Sequence, residues 1–409
     1  MTWQITRRGL LAGSAVTAAS LVAAPNILRG AAPVRVGSLT PNTGGGGTFG
    51  PQIAAAHRKV VEMINEQGGV FGRDVVLTQE DSETNPETAT RAARKLVDAD
   101  QVIGVIGTFS SSVTLGIMPL CQGADVIQMC TSSASEIPKQ DEKNLLFDFQ
   151  PLSPAWGKAI ASLVVGRGYE KFAVMSLNND FTKSMVDSFA RQIRARGGRI
   201  VNEPFNYNEG QSSYRSEVTQ LLKGDPEAVF VPAYVPDFTS VYKEIFRQGY
   251  RGQVVSISIA TAGEFKESLG DAADGVLHGF PVPPLDSDAY KAYLRFVGLE
   301  PSGDVQHPFG CAGYDQINTL LLAVESAQSL DTRKVRDHVF EIANPDGVRV
   351  TNLPDGVEAL RAGEKINYSG ASSDVDFQPN GMIKSRDFML YEIRDGRDEA
   401  VRRITSEAG

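Results

Sequence analysis

Three consecutive hydroxyls, Ser110-Ser111-Ser112, are the strongest chemical signal in the chain. They stand between an apolar run, Val102 to Ile106, and a helical stretch, Val113 to Cys121. A strand that turns into a helix there places hydroxyls and amides at the carboxyl edge of a sheet, beside the positive end of a helix. That arrangement suits a carboxylate; plain N-capping is the alternative, and both roles are compatible. Tyr234, on a loop after another apolar run, and Ile259, in Ser258-Ile259-Ala260-Thr261-Ala262-Gly263, are further candidates to line a site.

Other chemistries lack their residues. Gly44 to Gly47 frees backbone amides, as a phosphate loop does. It lacks the lysine-serine ending of a P-loop and the Gly-x-Gly-x-x-Gly spacing of a dinucleotide site, and reads better as a mobile cleft rim. There is no Gly-x-Ser-x-Gly elbow, no His-Glu-x-x-His and no persuasive Ser/His/Asp spacing, so no catalytic role is assigned and the chain is read as a non-enzyme. His57, His278, His307 and His338 are scattered, and Cys121, Cys130 and Cys311 contain no Cys-x-x-Cys, so neither a metal nor a cofactor is expected. The cysteines read as small buried hydrophobes; Cys121 and Cys130 pair only if their helix and strand come within disulfide reach. A net charge of −9 argues against nucleic acid or an anionic membrane as partner.

The elements that must position these residues follow a regular alternation. Thr6-Arg7-Arg8-Gly9-Leu10-Leu11 and the uncharged run Ala12 to Ala24 read as an export leader of the twin-arginine type, set aside as residues 1–32. That run is too short to span a bilayer, which needs about 20 residues. From Val34, strands at Val34–Leu39, Asp74–Gln79, Val102–Ile106 and Asp125–Met129 alternate with helices at Pro51–Glu66, Pro86–Asp98 and Val113–Cys121. The alternation restarts after Gln150–Pro154 and runs through Phe280. One parallel sheet of nine or more strands would be unusual, so the fold class expected is α/β, two doubly wound Rossmann-like lobes joined by a multi-segment hinge. The first lobe is assigned residues 33–150 plus about 283–350, and the second 151–282 plus about 351–409. The tail reads as helices at Tyr314–Ser326 and Thr332–Ala343, then a meander with a tight turn at Asn380-Gly381.

Several phrases, in order and over the whole mature chain, resemble the type I periplasmic solute-binding proteins of ABC importers, in particular the branched-chain amino acid (Leu/Ile/Val) binding family. They are Val36-Gly37-Ser38-Leu39-Thr40-Pro41 with its glycine-rich turn, Asn65-Glu66-Gln67-Gly68-Gly69-Val70-Phe71-Gly72-Arg73, Ile106-Gly107-Thr108-Phe109-Ser110-Ser111-Ser112, Tyr214 to Val231, and Gly313-Tyr314-Asp315. The resemblance implies a periplasmic, monomeric receptor that closes on a small carboxylate-bearing molecule. It would deliver that molecule to an ABC permease in the inner membrane, or report it to a membrane receptor. It implies that Ser111 bonds the carboxylate with Ser110 beside it, that Phe49 presents a ring to the ligand, and that Cys130-Thr131-Ser132-Ser133-Ala134 is a second binding turn contributing Ser132 and Ala134. Phe181 stands where the family commonly has a tyrosine over the ligand; it could equally be core. The family's acid for a ligand ammonium is missing, since the loop after Gln253–Ile257 has no acid before Glu264. An amine-free aromatic or aliphatic acid therefore stands beside a hydrophobic amino acid as the expected ligand.

Overall fold

The computed structural model describes residues 32–302, 304–343, 346–384 and 386–405. The expected leader, 1–32, lies outside them apart from its last residue. Strands of the first half form a parallel five-stranded sheet in the order Val75–Asp81, Val34–Thr40, Gly104–Thr108, Ile127–Cys130, Leu146–Asp148. Its central strands are apolar on both faces because helices cover both. Gly50–Glu66 and Gly310–Ala327 pack on one face and on each other, while Pro86–Arg94 and Ser111–Gly123 pair over the other. Asn85 caps the second of these helices, accepting from the amides of Glu87 and Thr88 ahead of Pro86 at its first turn.

A second sheet runs Arg397–Thr405, Asp387–Arg394, Leu277–Pro281, Gln253–Val255, Ala228–Phe230, Lys171–Leu177, Arg199–Ile200, and Phe205–Tyr207 also pairs with Lys171–Leu177. Six of these strands pair in parallel; the last hairpin adds two antiparallel ones at the edge. The two lobes are joined where the chain leaves Asp148 for the helix Ser153–Gly166, where it leaves Pro281 for the helix Asp288–Phe296, and where it passes from Ile383 to Asp387. Three crossings make a hinge that allows rotation and resists twisting.

The tail corrects the expected division. Residues 351–383, assigned with the second lobe, pack on the first: Leu353, Val357, Ile366, Tyr368, Ala371, Val375 and Phe377 belong to the same buried cluster as Val34, Ile106 and Ile127. Only the hairpin from Asp387 onward joins the second sheet. Before that hairpin the expected meander reduces to single bridges, Phe377 to Ile383 and Asp148 to Met382. The turn itself is real. Gly381 has φ +77°, and a Cβ there would fall 1.9 Å from the Leu146 carbonyl oxygen. All three cysteines are buried and unpaired.

Asp315 fastens the returning tail. Its Oδ1 accepts from the Tyr368 hydroxyl at 2.7 Å and the Ala371 amide at 2.8 Å, and its Oδ2 accepts from the Ser372 amide at 2.7 Å. Burial pushes its carboxyl up to about 6, against the opposing pull of Ser372, Tyr368 and Ala371. The folded protein thus holds the Asp315 proton more tightly than the unfolded chain does. The resulting stability is present below about pH 4 and is lost as pH rises through about 6. In urea titrations, the stability of wild type relative to Asp315→Asn should fall by roughly 2–3 kcal/mol between pH 4 and 7. A difference that stays flat with pH would show that Asp315 does not titrate in this way.

Candidate functional site

The cleft between the lobes is built around two helix beginnings. Ser111–Gly123 starts after the strand Gly104–Thr108, and Val235–Arg247 starts shortly after the strand Ala228–Phe230. Their N-cap residues are Ser110 and Tyr234, both in extended backbone, and neither side chain caps its own helix. The two meet instead: the Tyr234 hydroxyl is a hydrogen-bond partner of Ser110, and burial pushes that phenol well above its ordinary range. Two helix N-termini, one from each lobe, therefore converge with first-turn amides that no side chain of their own N-caps satisfies. The N-capping role considered for Ser110 is not the one it plays.

Ser111 ties the two turns of the first lobe together. Its Oγ accepts from the amides of Ser133 at 3.2 Å and Ala134 at 3.1 Å, which leaves its own proton free to donate. Thr131 and Ser133 line the cleft together with Phe109, Trp156, Phe181, Tyr234, Ile259 and Phe309. Ser132 and Ala134 do not. Side chains alternate along this extended stretch, and the Ser132 hydroxyl turns inward to Thr114 Oγ1 at 2.7 Å and the Phe109 carbonyl at 3.2 Å. Ala134 is fully buried and contributes its amide to Ser111. Of the eight residues read from the sequence, then, Phe181, Tyr234 and Ile259 line this chamber directly, and Ser110 and Ser111 stand behind it at the helix end. The sequence reading missed Thr131, Ser133, Trp156, Phe109 and Phe309. For the first two the signal was present in the alternation of the turn; the aromatic residues carried none.

The walls are rings. Phe309 meets Phe109 edge-on at 4.8 Å and Phe49 at 4.9 Å, Phe109 lies 5.9 Å from Tyr234, and Trp156 stands perpendicular to Phe181 at 5.4 Å. The hollow on this side is small, about 240 Å³ including its mouth. Across Phe49, Phe309 and Ile259 lies a second hollow of about 640 Å³ including its mouth, lined by Phe49, Ser258, Ile259, Ala262, Gly263, Lys266, Phe280, Val305, Pro308, Tyr391 and Asp398. Phe49 thus faces this second hollow rather than the first. Neither lining includes Glu264, which is exposed at the start of its own helix. Among the described residues no group of His, Cys, Asp and Glu is placed to hold a metal ion.

The lobes also touch outside the rings. Ser112 Oγ donates to Asp180 Oδ2 at 2.8 Å, linking the first turn of one helix to that of Asp180–Ala195 in the other lobe. The glycine-rich turn packs on Tyr234 so closely that a Cβ at Gly45 would fall 2.6 Å from the ring, which makes this turn a rim of the cleft. Removing the first contact by Ser112→Ala should weaken closure by roughly 1 kcal/mol. The expected readout is a larger radius of gyration in X-ray scattering of the ligand-free protein; an unchanged radius would mean that the bond does not hold the lobes.

Comparison with known proteins agrees with this fold. The family described as periplasmic binding protein matches residues 33–398. An amino acid binding protein of Pseudomonas aeruginosa is 25% identical over 318 residues, 75% of this chain and 82% of that protein. Among solved structures, a leucine-binding protein of Thermotoga maritima superposes with a TM-score of 0.75 at 20% identity, covering 91% of this chain and 98% of that one. A solute-binding protein of an R. palustris ABC transporter, solved with 4-hydroxybenzoate, gives 0.74 at 16% identity, covering 92% and 98%.

Proposed function

The chain belongs to the periplasmic binding protein family, whose members bind solutes rather than transform them, and from that premise we propose that it is an exported receptor for a small aromatic carboxylate, handed on to an ABC permease. The observation that carries the reading is the meeting of two helix N-termini inside a ring of aromatic side chains. Helix ends of this kind attract an anion, and a carboxylate between them takes hydrogen bonds from Ser111, from the hydroxyls of Thr131 and Ser133, and from the free amides. Closure removes water and so strengthens each bond. The remainder of the lining is Phe109, Trp156, Phe181, Tyr234, Ile259 and Phe309. It offers a flat apolar body edge and face contacts, and it holds no acid to neutralise an ammonium.

A hydrophobic amino acid is the second reading. It is favoured by the charges of Glu209 and Asp180, both close enough to Tyr234 to influence its hydroxyl. To serve, one of these acids must reach the ligand's amine, and Asp180 is engaged by Ser112. Export by the twin-arginine route, from Arg7-Arg8, completes the proposal; no helix among the described residues is long and apolar enough to cross a membrane.

Calorimetry and thermal shift with benzoate-type acids beside leucine, isoleucine and valine separate the two readings, using protein refolded free of carried-over ligand. The aromatic acids should bind and raise the melting temperature. Binding of the amino acids alone would overturn the aromatic reading. Ser111→Ala should cost about 1–3 kcal/mol of affinity, the loss of a bond to a charged group. Unchanged affinity in that variant would remove Ser111 from the site.

A further inference from the structure

The second hollow contains a polar row with no part in binding the carboxylate. Ser258 Oγ and His278 Nδ1 are 2.7 Å apart, His278 Nε2 and Asp398 Oδ1 are 3.1 Å apart, and Lys266 Nζ lies 2.7 Å from Asp398 Oδ2. Ser258, Lys266 and Asp398 line the hollow. His278 is fully buried beneath it, its ring stacked on Tyr391 at 5.3 Å. The residues come from four segments: the loop after Gln253–Val255, the helix Glu264–Leu269, the strand Leu277–Pro281 and the final hairpin.

The row fixes the direction of its hydrogen bonds. Burial works against ionising Asp398, but the hydrogen bond from His278 and the charge and hydrogen bond of Lys266 outweigh it and hold the carboxyl at about 2. An ionised Asp398 accepts from His278, so Nε2 carries the proton and, in the neutral ring, Nδ1 is left as an acceptor. With the ring neutral, Ser258 donates to Nδ1 and offers its lone pairs to a group in the hollow. Lys266, with one proton on Asp398, keeps two to donate. An acceptor and a donor thus line the same hollow as the apolar surfaces of Phe49, Ile259 and Phe280. A hydroxyl satisfies both, donating to Ser258 and accepting from Lys266. A bare hydrocarbon end leaves both unmet, and a second carboxylate meets the lone pairs of Ser258 with its own.

We propose that the ligand carries a hydroxyl at the end remote from its carboxylate, and that Ser258, oriented by His278 and Asp398, reads that hydroxyl in the second hollow. This deepens the carboxylate reading and rests on it. Phe49, Phe309 and Ile259 are the partition between the chambers, and the ligand's apolar body replaces their mutual contacts when it spans the two.

The test is calorimetry on three pairs of acids of increasing reach: benzoate and 4-hydroxybenzoate, phenylacetate and 4-hydroxyphenylacetate, 3-phenylpropanoate and 3-(4-hydroxyphenyl)propanoate. In at least one pair the hydroxylated member should bind about tenfold more tightly. Ser258→Ala should erase that preference, with the plain acid binding at least as tightly as to wild type, and His278→Gln should weaken it. If the plain acids bind and no hydroxylated partner binds more tightly, or if the preference survives in Ser258→Ala, this inference falls and the carboxylate reading stands. If none of the six acids binds, the aromatic carboxylate reading itself falls and takes this one with it. Circular dichroism of both variants separates loss of recognition from loss of fold.

Discussion

Two helix beginnings facing each other across a gap create a demand that only a third party can meet. Each brings first-turn amides and the positive end of its dipole, worth roughly half an elementary charge, to the same place. In an open cleft water serves those amides. Once the lobes meet, water is displaced and the two positive ends are left opposed, with the contact between Ser110 and Tyr234 between them. A small anion relieves this on both sides at once. On the proposed carboxylate reading, closure and binding are one event in physical terms: an anion would stabilise the arrangement that holds it, because only there would both helix ends reach it.

The same constraint explains why hydroxyls and amides serve in place of a lysine or arginine. A cation in a water-free chamber would need its own counter-charge whenever the ligand is absent. Serines do not. Ser111 parks its oxygen on the amides of Ser133 and Ala134 and keeps one proton to offer, so the empty site is nearly satisfied and the occupied one fully so. The aromatic walls act in the same sense. Phe49, Phe109 and Phe309 contact one another when nothing intervenes, and a flat guest exchanges ring contacts for ring contacts. Little apolar surface is left in water in either state.

How much of this was legible in the sequence varies by element, for reasons that can be named. The alternation of apolar strands with amphipathic helices exposes both lobes, because buried parallel strands must be continuously apolar. It fails where the pattern is short or the surface wet. Leu146–Asp148 is three residues long, and Arg397–Thr405 is an edge strand studded with charge, a pattern that discourages pairing with other chains and carries no apolar period. The segment 351–383 was assigned to the wrong lobe because its helix Leu353–Arg361 could cover either sheet. What decides the matter is the buried carboxylate of Asp315, 53 to 57 residues away in sequence from its three partners.

Within the site, the contrast between Ser132 and Ser133 shows how narrow such inference is. Both lie in one turn of identical chemistry, Thr131-Ser132-Ser133, and an extended backbone sends neighbours to opposite sides. A register error of one residue exchanges a residue that lines the cleft for a structural one: Ser132 holds Thr114 and the Phe109 carbonyl, whereas Thr131 and Ser133 line the chamber. Family motifs locate such a turn; only its backbone says which face each hydroxyl takes. The row Ser258, His278, Asp398 goes further, since no local pattern connects residues 20 and 120 apart. Long-range constellations of this kind arise from how strands stack, and specificity that resides in them is invisible until the last hairpin has closed the sheet.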